Sequence, residues 1–313
     1  MDKRVNLALI GFGSFGKLYF KTIKKNKKFN LVSIFRKKKI DNSKFKILSK
    51  KNIISSRIEA AIVCTPVETH YKISKLLIEN KIPIILEKPA AKNITEIKKL
   101  IRISKKNKTS VIVNHSDLYN ENFKYFYLNK KLIGKISFVQ ANFGKFSLKY
   151  RNKMSSPFKD WCPHIFALIL KFVKNIYFLE VISNKVFKKN GSFFQDLNLY
   201  FKAKDNIKGI INFSNLPKNK DRKLALFGTK GKIEYDGYNE KNNYLSAGKK
   251  ISLKKTEFSP MEVILNKLHY LTKKRLYYSD LETSLEIEKI LIKIEKNKNL
   301  INTLKKNYKS SIK

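Results

Sequence analysis

The sequence predicts an α/β fold in two parts: an N-terminal parallel sheet with helices, then a second α+β domain built on a largely antiparallel open sheet. Three observations lead there. Over the first 118 or so residues, apolar strand-like runs alternate with helix-periodic segments, as in parallel α/β sheets. A glycine-rich turn, Gly11-Phe12-Gly13-Ser14-Phe15-Gly16, follows the run Val5 to Ile10 and opens onto helix-like sequence. After about Tyr119 the pattern changes to long alternating segments, clearest at Leu197 to Ala203 and Gly209 to Phe213 around Asp205-Asn206.

In chain order, the predicted strands of the first part are Val5 to Ile10, Phe29 to Phe35, Ala60 to Cys64, Ile82 to Leu86 and Ser110 to Val113. Thr69 to Asn80 reads as a helix, with Ile73, Leu76, Leu77 and Asn80 at helical spacing, and Asn93 with Glu96 reads as a capped helix start. In the second part a helix is expected from Pro163 to Val173, its proline in the first turn. A closing helix is expected behind a Ser279 and Glu282 capping box. The expected domains are residues 1–118 and 119–300, followed by a basic tail over 301–313.

The glycine turn in its strand-to-helix setting points to a Rossmann dinucleotide site. The first glycine permits the tight turn, the second lets backbone amides approach a pyrophosphate, and the third lets helix pack on strand. Amides at the helix N-terminus then hold the negative charge. Phe12, Ser14 and Phe15 join the three glycines in this binding set.

Composition narrows the remaining classes. An apolar content of 42% supports a globular chain. The formal charge of +44 would ordinarily raise nucleic acid as a partner, but only seven of the 68 basic residues are arginine, and the lysines are spread along the whole length instead of gathered in one stripe. Neither nucleic acid nor membrane is therefore expected as a partner. Cys64 and Cys162 form no disulfide framework and have no metal-ligand spacing, so no metal site is expected. Without a run of the ~18 apolar residues a membrane span needs, and with the first strand at Val5, the expectation is a soluble cytoplasmic protein.

Three further motifs carry chemistry. Cys64-Thr65-Pro66 ends the third predicted strand, with Thr69-His70 just beyond; Glu87-Lys88-Pro89 ends the fourth; Asp160 and His164 stand four residues apart at a helix start. Strand carboxyl ends are where open α/β sheets place their ligand crevice. Thr65, Pro66, His70, Glu87 and Lys88 are accordingly grouped as cofactor-binding, His70 as a helix-terminal residue.

In this order the motifs resemble the Gfo/Idh/MocA family of NAD(P)-dependent oxidoreductases, with Gly228-Thr229-Lys230-Gly231 and the closing helix extending the match over nearly the whole chain. The resemblance implies a dehydrogenase or reductase acting on CH-OH groups. Hydride passes between a nicotinamide and a hydroxyl-bearing carbon of a sugar, sugar derivative or cyclitol. His164 is implied as the base for the hydroxyl proton, Lys88 as the cation that stabilises the alkoxide, and Asp160 as a group orienting its neighbours. The second domain is then the substrate-binding and oligomerisation domain. Trp161 is a candidate contact to a sugar or nicotinamide face with core packing as its equal alternative, and Tyr119 a candidate pocket-lining substrate contact.

Two departures from the family pattern stand out. Many relatives carry an aspartate three residues after the histidine and a glycine two residues after the first aspartate, where this chain has Ala167 and Cys162. They leave open a catalytically silent protein of the same fold that binds dinucleotide and ligand. Arg36, twenty residues beyond Gly16, stands where an acidic residue selects the free ribose 2′-hydroxyl, so NADP is favoured over NAD. Relatives commonly associate through the open sheet face, which predicts a homodimer or homotetramer with Phe138 to Phe146 contributing surface.

Overall fold

The computed structural model describes residues 3–36, 45–47, 57–146, 157–189, 192–216, 220–238, 243–246, 250–251 and 258–297. The basic tail over 301–313 lies outside the described residues. The chain divides into two compact units, Met1–Tyr119 with Phe258–Glu286, and Asn120–Glu257 with Ile287–Lys313.

The first unit is a six-stranded parallel sheet of β1 (Val5–Ile10), β2 (Phe29–Arg36), β3 (Phe45–Ile47), β4 (Ala60–Val63), β5 (Ile84–Leu86) and β6 (Val111–Val113), in the order β3-β2-β1-β4-β5-β6. Every residue of β4, β5 and β6 is buried, which is why these strands read as unbroken apolar runs: both faces of a parallel sheet are covered. Helices α1 (Ser14–Lys25), α2 (Val67–Glu79) and α3 (Ile94–Asn107) connect them. On one face Ala8, Ile10, Val63 and Leu86 pack with Leu77 of α2 and Leu100 of α3. Asn93 caps α3 as expected, its side chain accepting the Glu96 amide at 2.9 Å.

The other face holds Leu7, Leu9 and Ile62, which pack with Tyr19 of α1 and with Ile264, Leu265 and Leu268 of a later helix, Pro260–Lys274. The contact division thus places Phe258–Glu286 with the N-terminal residues, whereas the sequence reading put the whole stretch 119–300 in the second domain. The reason is tertiary: an amphipathic stripe shows that a helix is buried, not against which sheet. This helix also carries the capping box, with the Ser259 amide donating to Glu262 at 2.8 Å and the Glu262 amide to Ser259 Oγ at 3.3 Å. At the expected box, Ser279 Oγ instead accepts the Leu281 amide at 3.3 Å, and Glu282 pairs with Lys105 at 3.0 Å. The helix there begins at Leu281, so Glu282 stands one position too early to reach back to the cap.

The second unit is an eight-stranded mixed sheet, β14-β13-β12-β11-β7-β10-β9-β8. Its strands are β7 (Ile136–Lys145), β8 (Ile176–Lys189), β9 (Ser192–Ala203), β10 (Lys208–Ser214), β11 (Lys220–Gly228), β12 (Gly231–Asp236), β13 (Asn243–Ser246) and β14 (Lys250–Ile251). Only β7 and β10 pair in parallel; the other neighbours are antiparallel. Alternation buries Leu197, Leu199 and Phe201 of β9 and Val139, Ala141 and Phe143 of β7 on one face. Asp205 and Asn206, with φ of 62° and 58°, turn β9 into β10. A short helix, α4 (Glu121–Leu128), packs on β12, with Phe123 against Tyr235 at 5.5 Å.

Helix α5 (Pro157–Ile169) covers the buried face, packing on β7, β9 and β10. It starts six residues before the expected Pro163, which is therefore internal and removes one helical amide donor. Pro157 takes the first helical position, and Asp160 lies in the first turn, favourable for a carboxylate. After α6 (Pro260–Lys274), the closing helix α7 (Leu281–Glu295) runs from the first unit into the second.

Candidate active site

Register aligns the carboxyl ends of the central strands of the first unit. Ile10 pairs with Val63, Val63 with Leu86, and Leu86 with Val113. The next residue in each case donates its amide back to the neighbouring strand: Cys64 to Ile10 at 2.8 Å, Glu87 to Val63 at 2.9 Å, Asn114 to Leu86 at 2.8 Å. Gly11 likewise donates to Phe35 at 3.0 Å. The glycine turn, Thr65-Pro66, Glu87-Lys88 and Asn114 are thereby held along one edge, with the strand order reversing between β1 and β4, the switch point where ligands of such sheets bind.

The three glycines differ in what they face. Gly11 has φ of +103°, and a Cβ there would stand 2.5 Å from the Cys64 carbonyl oxygen. A Cβ on Gly16 would collide with the Gly11 carbonyl, so Gly16 lets α1 lie against the turn. Gly13 meets nothing within 4 Å. The protein itself does not require a glycine there, so the open space fits a group from outside. Gly13 is also the N-cap of α1, without a side-chain capping bond and without an acidic residue in the first turn. Such a terminus presents uncapped amides and positive dipole to an anion, which fits a dinucleotide pyrophosphate. Ser14 and Phe15 are exposed beside it, and Phe12 packs edge-on against Phe20 at 5.5 Å.

Glu87 is not at the surface of this edge. Its buried carboxylate accepts the Asn114 amide at 2.6 Å and the Tyr19 hydroxyl at 3.0 Å. Burial raises its pKa, opposed by those two donors and by the Lys88 charge. Glu87 thus ties α1, β5 and β6 together beneath the half-buried Lys88. His70 is also buried, its Nδ1 2.8 Å from the Pro89 carbonyl and its Nε2 2.7 Å from the Thr65 carbonyl. Burial lowers its pKa against the pull of both carbonyls. Both ring nitrogens face backbone carbonyls, and whichever carries the proton ties His70 to the chain just beyond β4 or β5.

Tyr119, expected at a pocket wall, is buried in the core beside α6, its hydroxyl donating to Asp280 at 3.2 Å. Burial, then the Asp280 charge, raise its pKa. That environment makes it a packing residue. Arg36 is the last residue of β2, opposite Ile47 of β3, and its side chain lies outside the described residues.

Asp160, Trp161 and His164 belong to the second unit, Asp160 and His164 one turn apart on α5. All three are half-buried, with Nδ1 of His164 inside the fold. The Trp161 ring lies 6.2 Å from that of His164 and 5.6 Å from the Arg222 guanidinium. Ala167 and Cys162 are fully buried. Sequence reasoning missed Tyr19 and Asn114. For Asn114 a signal existed, a polar residue directly at a strand's carboxyl end.

Residues 5–115 match the family model described as GFO_IDH_MocA, oxidoreductase family, NAD-binding Rossmann fold. No curated protein sequence matches the chain. Among solved structures, a Magnetospirillum magnetotacticum protein assigned as an oxidoreductase is 23% identical, with a TM-score of 0.80 over 92% of this chain and 99% of that one. UDP-N-acetylglucosamine 3-dehydrogenase from Acidithiobacillus ferrooxidans is 12% identical, TM-score 0.77, over 93% and 96%. Biliverdin reductase from Synechocystis, in complex with biliverdin and NADP+, is 15% identical, TM-score 0.70, over 92% and 96%. These likenesses concern the fold, which extends over both units. The glycine turn and the strand-end motifs lie inside the matched segment: residues 5–115 belong to the Gfo/Idh/MocA oxidoreductase family as its NAD-binding Rossmann fold.

Proposed function

We propose that the chain is an NAD(P)-dependent dehydrogenase or reductase that moves hydride between a nicotinamide and a hydroxyl-bearing carbon of a sugar, sugar derivative or cyclitol. The observation that carries the reading is the levelled carboxyl edge of β1, β4 and β5, with open space at Gly13 and a lysine at the end of β5. The amides following Gly13, with Thr65 and Pro66, hold the dinucleotide. When bound, it supplies a hydride acceptor or donor. Lys88 sets positive charge against the substrate oxygen, and His164 takes the hydroxyl proton at Nε2, since Nδ1 is buried. Asp160, one turn before it, orients the ring.

The sugar class draws on the sugar-nucleotide dehydrogenase among the structural neighbours, though the biliverdin reductase shows that the same fold takes other substrates. A second reading, a silent binder of dinucleotide and ligand, is favoured by Ala167 and Cys162, whose burial leaves no carboxylate or open backbone where relatives have them. NADP+ reduction and NADPH oxidation across a panel of sugars and cyclitols separate the two. Turnover supports the first reading, and dinucleotide binding with no turnover supports the second.

Arg36 is the proposed 2′-phosphate ligand. A charge-assisted bond of ~1.5–3 kcal/mol makes NADPH bind one to two decades more tightly than NADH, and Arg36→Asp inverts the order. The comparison belongs at ~0.15 M salt, where distant lysines are screened. Equal affinities unchanged by the substitution contradict the assignment.

The oligomer surface follows from the second sheet. Only part of the expected strand faces outward: Phe143 is buried, while Phe138, Gln140 and Asn142 lie on the open face, Phe138 edge-on to Phe227 at 5.8 Å. Exposed Phe178 and Ile210 share that face by register. Light scattering at micromolar concentration and ~0.15 M salt is expected to give a homodimer or homotetramer, and a monomer contradicts it.

A further inference from the structure

The Glu87 carboxylate is a meeting point of three elements of the first unit. Tyr19 of α1 donates its hydroxyl to Oε1 at 3.0 Å, and Asn114, the residue after β6, donates Nδ2 to the same oxygen at 2.6 Å. Both donors are buried, and the Lys88 backbone amide adds a further hydrogen bond. Apolar packing asks for none of this. The Tyr19 ring sits among Leu7, Leu9 and Ile62, where a phenylalanine would fill the same space, so what the hydroxyl adds is its bond to Glu87.

Burying an ionised carboxylate is costly unless donors and an opposite charge answer it. Here they do: burial raises the Glu87 pKa, while Asn114, Tyr19 and the Lys88 charge each pull it back down. The other titratable groups facing it stay neutral. Burial, then the Glu87 charge, keep the Tyr19 hydroxyl protonated and push the Cys64 thiol beyond β4 up to about 12. Lys88 is the cation that this anion faces, and the attraction is mutual. The Tyr19 bond also sets a distance. Tyr19 lies within two turns of Gly13, the N-cap of α1 where the pyrophosphate fits, and Lys88 follows Glu87 in the chain. One hydrogen bond therefore ties the anion-binding helix to the residue before the lysine.

We infer that Tyr19 and Asn114 are positioning residues for hydride transfer: through the Glu87 carboxylate that both hold, they fix an anion beneath Lys88 and so place its ammonium against the substrate oxygen. The task given to Lys88 in this statement rests on the proposed function.

Two readouts on the full-length chain test it. The first needs no turnover. Glutamate labelled with carbon-13 at its side-chain carboxyl is incorporated, the Glu87 signal is identified by its absence in Glu87→Gln, and its titration is followed by NMR. Tyr19→Phe and Asn114→Leu each raise the Glu87 midpoint by about one to two pH units, the worth of one hydrogen bond to a charged group. Lys88→Met raises it by at least about half a unit, because the facing cation is gone. Tyr19→Phe keeps its ring in the core and carries the test alone should Asn114→Leu fail to fold.

The second readout is the pH profile of kcat for reduction of keto-sugars and keto-cyclitols by NADPH. In this direction His164 gives up a proton and low pH does not disarm it, so an acid limb reports Glu87. The limb moves up in Tyr19→Phe and Asn114→Leu by the same amount as the Glu87 midpoint. A Glu87 midpoint unchanged in Lys88→Met overturns the proposal. So does a kcat lowered by one factor at every pH with the limb unmoved, which a merely structural role would give and which leaves the proposed function standing. Midpoints that move as expected in a wild-type chain with no turnover of any substrate do the reverse: the hold of Tyr19 and Asn114 on the Glu87–Lys88 pair stands, and the proposed function falls.

Discussion

Lys88→Ala is expected to abolish turnover while leaving dinucleotide binding largely intact, and His164→Asn is expected to do the same. Lys88 stands two residues beyond β5, half-buried on the edge that holds the glycine turn and Thr65. The layer beneath it is held chiefly by other groups: Glu87 accepts from the Asn114 side chain and Tyr19, and the strand-end amides are paired with backbone, while the Lys88 charge helps keep the Glu87 carboxylate ionised. Removing the lysine therefore deletes a charge without collapsing the edge. Loss of one preorganised donor to a developing oxyanion typically costs ~2.7–4 kcal/mol, a factor of about a hundred to a thousand in kcat. The two substitutions act on one proton-and-charge event, so the double variant should be little worse than either alone. Wild-type kcat in either single variant removes that residue from the chemistry.

The glycine turn gives the second large effect, and its two ends respond in opposite ways. Gly13→Ala meets no protein atom within 4 Å, at a backbone φ of −75° that alanine adopts freely. Its stability should equal or slightly exceed that of the wild type, since alanine restricts the unfolded chain by ~0.4–1 kcal/mol. Its affinity for NADPH should fall by at least about tenfold, because the methyl fills the space into which the pyrophosphate fits. Gly11→Ala is the converse. At φ of +103°, with Cys64 O at 2.5 Å and Thr65 N at 2.9 Å from the new Cβ, it presses on backbone that cannot yield cheaply. A loss of about 2–4 kcal/mol and a clearly lower Tm are expected, with affinity falling only as the fold does. A Gly13→Ala protein that binds NADPH as tightly as wild type places the dinucleotide elsewhere.

What could be read from the residues was what is locally encoded. The buried parallel strands β1, β4, β5 and β6 show as apolar runs because both their faces are covered, and the Asn93 cap shows because its partner Glu96 is three residues away. The glycine turn is legible for the same reason. What escaped depends on distant partners. Tyr19 and Glu87 meet across 68 positions and Tyr119 and Asp280 across 161, so neither Glu87's buried tie nor Tyr119's packing place has a local mark. The helix over Pro260–Lys274 has an ordinary amphipathic stripe, and only the folded chain shows that it covers Leu7 and Leu9. Pro163 reads as a helix start because proline is favoured there, yet Pro157 holds that place and the apolar packing of Ile165, Phe166 and Ile169 carries α5 through the inner proline.

The central claim is hydride transfer between a nicotinamide and a sugar-like substrate, and the most direct measurement follows the isotope. NADPH carrying deuterium at both C4 positions is incubated with the chain and a panel of keto-sugars, keto-cyclitols and their carboxylate and phosphate derivatives, and the products are examined by mass spectrometry. The account predicts that one product gains a single deuterium on the carbon that becomes hydroxyl-bearing, that the wild-type chain is required, and that Lys88→Ala gives none. A wild-type protein that binds NADPH tightly and transfers no deuterium to any member of the panel contradicts it.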